Sequence, residues 1–326
     1  MKPPKRILVA IKDPAARTMP AVRKAAQLAR ASGATLELFH ALSETVLVDA
    51  LEARRQSLRD YEHERHAAVM KRLEAVARRI RRHGIEVTTA AEWDYPVAEA
   101  IVRRSLRTHA DLIVAERHAT RHVAGWMLAY TDWEVLRNAP CPVLLVKQAR
   151  AWHRPVIMTA IDPFHEHAKP ARLDIALLQA SARLAGDLRG SLRIVHCVPP
   201  SAIITSALMN SPTPVQTSEA TLRKARKALA AEAARVPLPS HQLKVLEGTA
   251  REALPQAARA LRADLVVMGA VSRSGLKRLL IGNTAEAVLD ALPCDLLVVK
   301  PGKFQTKVPR RTRGAQLIAL PTAMTG

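Results

Sequence analysis

Aromatic side chains are scarce in this chain, with four Trp, three Tyr and three Phe in 326 residues. That shortage argues against a single-strand nucleic-acid module, which stacks successive bases on aromatic platforms. Cysteine is scarcer still. Cys141, Cys197 and Cys294 form an odd set with no CxxC spacing, which offers no disulfide framework and suits a reducing cytoplasm. No apolar run approaches the roughly 18 residues a membrane helix needs. The start, Met1-Lys-Pro-Pro-Lys-Arg6, leads straight into Ile7 to Ile11 and lacks the apolar core of a signal peptide. A cytoplasmic location is expected. Acidic residues are the fourth shortage: 29 Asp and Glu face 50 Lys and Arg, a formal net charge of +21. Such a charge suits nucleic acid or an anionic surface as a partner. A solvated helix surface in an Arg- and Ala-rich chain is the simpler account of it.

What is present is a duplication. Asp111 to Lys147 aligns without a gap on Asp264 to Lys300. Asp111-Leu matches Asp264-Leu, Thr131 matches Thr284, Val135-Leu136 matches Val288-Leu289, and Pro140-Cys141 matches Pro293-Cys294. The starts correspond too: Arg6-Ile-Leu-Val-Ala-Ile11 against Val156-Ile-Met-Thr-Ala-Ile161, each followed closely by Asp-Pro. The chain therefore reads as one domain over 1–150, a second over 151–302, and a basic tail over 303–326 with no periodicity, expected to be disordered and dispensable for folding. The short join from Ala149 to Pro155 leaves the halves closely connected.

Each half alternates strands with helices, the mark of right-handed βαβ crossovers and a parallel sheet. The first predicts strands over Ile7–Ile11, Thr35–Ala41, Ile85–Ala91, Asp111–Ala115 and Val143–Lys147. Its helices are expected over Ala21–Ser32, Val48–His83, Val97–Thr108 and Thr131–Asn138. The second predicts strands over Val156–Ile161, Leu192–Val198, Leu243–Glu247, Asp264–Gly269 and Asp295–Lys300. Its helices are expected over Ala171–Gly186, Ser218–Arg235, Arg251–Leu261 and from Gly282 to Leu292. Pro199 to Pro214, with four prolines, reads as an ordered loop or partial lid.

The most informative stretch is Asp264-Leu-Val-Val-Met-Gly269, a basic loop, and Gly282-Asn-Thr284. A buried strand, a glycine-bearing loop and a helix start together make an anion site, because small residues admit a ligand to free backbone N–H groups. Gly269, Ser272, Gly282 and Asn283 stand at the fixed positions of the pattern G-x2-G-x9-G-[ST]. That segment resembles the ATP-binding branch of the universal stress protein family. Thr131-Asp132-Trp133 resembles the corresponding segment of its tandem, E-type subgroup.

The resemblance implies an α/β fold of two tandem Rossmann-like domains, of the adenine nucleotide alpha hydrolase type, each a five-stranded parallel sheet of order 3-2-1-4-5. It implies a stress-response binding or regulatory module holding ATP or another adenine nucleotide, with or without magnesium, in the second domain. The residues it assigns there are Ala160, Asp162, Val198, Met268, Gly269, Ser272, Gly282, Asn283 and Thr284. Asp162 would meet adenine or ribose and Val198 the base, while the others would surround ribose and phosphates. Ser272 replaces a glycine and Asn283 a Ser or Thr, so the match departs from the pattern at two positions. In the first domain Lys12, Glu116, Ala129 and Tyr130 replace Asp162, Gly269, Gly282 and Asn283, and a carboxylate there opposes a triphosphate. Pairing through the strand-five edges is implied as well, within the chain or in a homo-oligomer. No nucleophile with a base and orienter stands out, so slow ATP hydrolysis at most is expected. The alternatives are a non-nucleotide ligand, binding of nucleic acid or an anionic surface, and a weak nucleotide hydrolase. His165-Glu-His167 reads as exposed loop rather than metal site, and Cys141 and Cys294 as buried packing residues.

Overall fold

Apolar strands and amphipathic helices alternate twice along the chain. The structure, a computed structural model, describes all residues except 1–2, 48–50, 52–56, 118–124, 165–171, 200–216, 271–287, 289, 302–303 and 319–326. They form two compact units, Pro4–Ala149 with the tail from Gln305, and Arg150–Phe304.

The first unit runs β1 (Arg6–Ala10), α1 (Pro20–Ser32), β2 (Thr35–Leu42), β3 (Thr45–Leu47), α2 (Leu58–Arg81), β4 (Val87–Trp93), α3 (Val97–Arg107), β5 (Leu112–Glu116), α4 (Gly125–Asn138) and β6 (Val143–Val146). Its main sheet has the order β4-β2-β1-β5-β6, all parallel. The second runs β7 (Val156–Ala160), α5 (Leu173–Asp187), β8 (Ser191–Val198), α6 (Glu219–Ala233), β9 (His241–Glu247), α7 (Ala250–Ala260), β10 (Leu265–Gly269) and β11 (Asp295–Val299). Its strand order is β9-β8-β7-β10-β11, again parallel. Counted by main-sheet strands, both units have the expected order 3-2-1-4-5.

The central strands carry apolar residues toward both faces because helices cover both. Ile7, Leu8, Val9, Ile113 and Val114 are buried in the first unit, and Ile157, Met158, Val266 and Val267 in the second. Each large side chain so buried contributes about 1.5–3 kcal/mol. The helices are bounded by local chemistry. Pro20 opens α1, whose first N–H needs no intrahelical partner. Gly33, at φ 71°, closes it in the left-handed region. Ser57 Oγ accepts the Asp60 N–H at 3.1 Å and starts α2.

One carboxylate in each unit fixes the register of the two central strands. Asp111 Oδ2 accepts the N–H groups of Lys5 at 2.9 Å and Arg6 at 3.0 Å, just before β1 and at its start. Asp264 Oδ2 accepts the Val156 N–H at 2.9 Å at the start of β7. These are the two aspartates that open the gapless sequence alignment of the halves.

The structure corrects several expectations. Ser57 caps a helix that starts at Leu58, so a new helix begins inside the segment expected from Val48 to His83. Of residues 48–56 only Leu51, which is helical, lies within the described residues, and Thr45–Leu47 before them is strand. Strand β4 lies two residues beyond Ile85–Ala91, since Gly84 at φ 74° still belongs to the turn. A shift of two leaves each side chain on its expected face. Helix α4 starts at Gly125, ahead of Thr131. The largest correction concerns the tail. In place of a disordered segment over 303–326, the chain from Gln305 belongs to the first unit. Gln316–Ile318 forms β12, paired in parallel with β3 at Gln316↔Thr45, Leu317↔Val46 and Ile318↔Leu47. A three-residue strand has no periodicity to detect, and its partner lies far away in sequence. The 199–214 loop falls almost wholly outside the described residues.

Two glycines of the second unit give opposite expectations. A Cβ on Gly190 would lie 2.4 Å from the Pro155 carbonyl oxygen, backbone that also accepts the Ser191 N–H at 2.9 Å. Gly190→Ala should cost about 1–3 kcal/mol. Gly186, inside α5, has nothing within 4 Å of a built Cβ, and Gly186→Ala should gain about 0.5–1 kcal/mol. Urea unfolding of both variants checks the pair, and equal effects would mean this turn is misplaced.

Candidate functional site

Strand order reverses between β7 and β10, and open α/β sheets take ligands at the carboxyl ends flanking such a switch point. The register Val267↔Thr159 sets Ala160 and Met268, both half-buried, side by side where these strands end. Gly269 closes β10, and the next N–H, of Ala270, donates to the Val299 carbonyl at 2.9 Å. Val198 closes β8; its carbonyl already accepts the Gly248 N–H at 2.9 Å. A carbonyl oxygen keeps a second lone pair for another donor.

Asp162 stands two residues past the end of β7. Both its carboxylate oxygens are buried and have no hydrogen-bond partner among the described residues. Its own N–H donates to Asp174 Oδ1, 3.4 Å away at the start of α5. Ala160, Asp162, Val198, Met268 and Gly269 thus lie at the carboxyl ends of three adjacent strands, β8, β7 and β10. Ser272, Gly282, Asn283 and Thr284 lie outside the described residues, as do His165 and His167.

Sequence reading overlooked one device that both halves share. His196 Nδ1 donates to the Ile161 carbonyl at 3.1 Å, and His40 Nδ1 to the Ile11 carbonyl at 2.8 Å. The same isoleucines donate their N–H to the strand alongside, Ile161 to Val195 O at 3.0 Å and Ile11 to Phe39 O at 2.8 Å. Each histidine therefore replaces the next backbone rung of a parallel ladder. The strand can leave the sheet there without orphaning its last carbonyl. The signal was legible, because each histidine stands five residues into β2 or β8, counted from the aligned Thr35 and Ser191.

With Nδ1 donating, the neutral ring offers Nε2 as an acceptor. Around His196 the edge of Phe164 approaches at 5.5 Å between centroids, and Lys224 Nζ lies 5.6 Å from the Phe164 centroid. His40 instead lines a cavity of about 300 Å³ in the first unit, with Ile11, Phe39 and Ile101 among its apolar walls. Lys12, Glu44 and Glu116 also line it. Glu116, which replaces Gly269, accepts the Ala21 N–H at 3.0 Å and so caps the first turn of α1. Glu44 is held by Arg65, whose Nε donates to Oε2 at 3.0 Å. Among the described residues, the rim of this crevice thus carries a carboxylate bonded to a helix start and a salt-bridged glutamate, negative charge that opposes a triphosphate.

Burial pushes the His40 imidazole below its usual value, against the Ile11 bond and the nearby carboxylates of Glu44 and Asp13. Desolvation also pushes the Cys197 thiol up to about 12, which leaves it unreactive. Cys141 and Cys294 are buried. Among the described residues no group of three or more His, Cys, Asp or Glu could hold a metal.

Because the fold lowers the His40 pKa, the unfolded chain takes up this proton before the folded one as pH falls through the ordinary value of 6.5. Its contribution to stability is therefore complete above that pH and lost below it. Melting temperature should fall from about pH 7 to pH 5, and His40→Asn, which keeps a donor near Nδ1, should flatten part of that slope. An unchanged slope would place the titration elsewhere. Cys197 should resist alkylation at about pH 8 while the protein is folded, and react once it is unfolded.

Comparison with known proteins accounts for the duplication. The model of the universal stress protein family matches residues 3–147 and again 156–300. Universal stress protein E of Escherichia coli K12 is 27% identical over 226 residues, 69% of this chain and 72% of its own. A homolog of that protein in Haemophilus influenzae is 29% identical over 221 residues, covering 67% and 71%. A Pseudomonas aeruginosa PAO1 structure described as functionally unknown is 27% identical at a TM-score of 0.69, covering 92% of this chain and 93% of the other. A universal stress protein from Archaeoglobus fulgidus shares the fold at a TM-score of 0.60 and 17% identity, covering 91% and 97%. With two matches that together span most of its length, the chain belongs to the universal stress protein family and carries that family's domain twice.

Proposed function

We propose that the protein is a stress-response binding module that takes one adenine nucleotide per chain, in the crevice of the second unit. The observation that carries this reading is Asp162, whose two buried oxygens find no donor among the described residues. Leaving a buried acceptor unpaired costs about 1–3 kcal/mol, and more when it is charged. The amino group of adenine and the hydroxyls of ribose are donors of the kind that would remove that cost. Val198 and the ends of β7 and β10 stand beside it, and Gly269, Ser272, Gly282, Asn283 and Thr284 keep the order of a phosphate-binding motif. The first unit has a different chemistry at these positions, with Lys12 in place of Asp162 and the Glu116 carboxylate bonded to the start of α1. One site per chain follows.

The role is binding rather than dedicated catalysis. Affinity is expected to be micromolar or weaker, because a non-glycine residue at Ser272 costs about 1 kcal/mol or more if its backbone needs positive φ.

Calorimetric titration of ATP tests this. Asp162→Ala should weaken binding about tenfold or more, as loss of a charged hydrogen bond does. Gly282→Val should abolish binding, Ala129→Val should leave it unchanged, and Ser272→Gly should tighten it. Repeating the titration at about 50 and 200 mM salt separates the site from diffuse attraction to the basic surface, which weakens steeply. Two sites per chain, or affinity indifferent to Asp162, would sink the proposal.

A further inference from the structure

Among the described residues, the C-terminal segment meets the first unit through a set of polar groups. Asp94 and Arg103 are buried and bonded side by side, Arg103 Nε to Oδ2 at 2.6 Å and Nη2 to Oδ1 at 2.8 Å. Arg103 Nη1 also donates to Glu99 Oε2 at 2.9 Å, one turn earlier on α3. This cluster stands on β4 and α3, and every member belongs to the domain proper.

The tail adds itself to that cluster. The Arg313 N–H donates to Asp94 Oδ1 at 2.9 Å, and its Nη2 to Glu99 Oε2 and Oε1 at 3.0 and 3.2 Å. The Arg313 guanidinium lies 5.8 Å from the centre of the Tyr95 ring. Arg103 Nη1 reaches the Pro309 carbonyl at 3.5 Å. Gly314, at φ 77°, turns the chain, and β12 then lies along β3. Strand β3 stands outside the main sheet and pairs with β12 in a two-stranded sheet.

Among the described residues of the segment, the apolar side chains are divided. Val308 is buried, but Leu317 and Ile318 of β12 are 49% and 42% exposed. Backbone pairing, one guanidinium clamp and weak apolar anchorage are the features of strand addition to a receptor edge rather than of a domain core.

We propose that the β3 edge together with Asp94, Glu99 and Arg103 is a docking site for an extended, arginine-bearing peptide segment of a partner protein, and that the chain's own tail occupies it as a replaceable stand-in. The partner segment needs an arginine whose N–H and guanidinium face Asp94 and Glu99. It also needs a residue tolerant of positive φ next, and then a short strand. Arg313 and Glu99 are both solvent-accessible, at 44% and 25%, so the clamp is open to competition and to screening by salt.

The test keeps every residue of the protein. A protease recognition sequence is placed at Gly302-Lys303 and cut after folding, and the nicked protein is passed over a sizing column at about 150 mM salt. The freed tail should stay with the body. Excess synthetic peptide of residues 305–318 should displace it, and the same peptide carrying Arg313→Glu should need at least a tenfold higher concentration. A tail that falls away at once would overturn the proposal, as would one that no peptide displaces, which would make it a fixed part of the domain. Equal potency of the two peptides would overturn it too. Intact protein that forms tail-exchanged dimers by light scattering would overturn the choice of partner, since a second copy would then be the occupant.

Discussion

Everything at the crevices depends on where the first and fourth strands of each sheet stand relative to one another, and a single carboxylate sets that in each half. Asp111 takes the N–H groups at the start of β1, and Asp264 the N–H at the start of β7. A parallel pair gains no turn-defined register, because its connection is long. A side chain that spans the two strand starts supplies what a hairpin would otherwise provide. Once those starts are level, Thr159 and Val267 fall opposite each other, and so the strand ends that form the site do as well.

The other end of each first strand is secured by a histidine. Since both halves keep the tie from His40 or His196 to an isoleucine carbonyl, the scaffold of the crevice is the same in each. The difference lies in what occupies the rim. The second half ends its fourth strand in Gly269 and holds Asp162, whose buried oxygens find no partner among the described residues, whereas the first ends it in Glu116 bonded to a helix start. The duplication thus preserved the mechanical parts while the two ligand surfaces diverged.

Much of this was legible in the residues. The strands and the doubling came from apolar runs and matched residues in the two halves, signals that operate within a few dozen residues. The strand order and the places of Asp162 and Val198 were instead implied by the family resemblance that the spaced glycine motif carries. The overlooked features are of other kinds. The histidine ties need two residues distant in sequence, although their equal placement in the two repeats was there to be read. Nothing in the sequence singles out Asp94 and Arg103, and only their shared burial marks them as a structural pair. Strand β12 is too short to have a period, and the basic stretch before it imitates disorder. Strand β3, also of three residues, is as hard to read, because its partner β12 lies at the far end of the chain.

Trp152 stands in the join between the halves, ahead of the stretch that matches the family model, yet it is buried in the second unit and donates its indole N–H to Asp295 at 2.9 Å. Asp295 is itself fully buried at the start of β11. In the aligned first half that position is Pro142, which has no carboxylate to satisfy. The second unit therefore takes part of its interior from the join that precedes the matched stretch. Cutting it out at Val156 would remove an indole from its interior and take a donor from a carboxylate with no access to water. The natural boundary of the unit, as an object that folds, lies upstream of the boundary that homology draws.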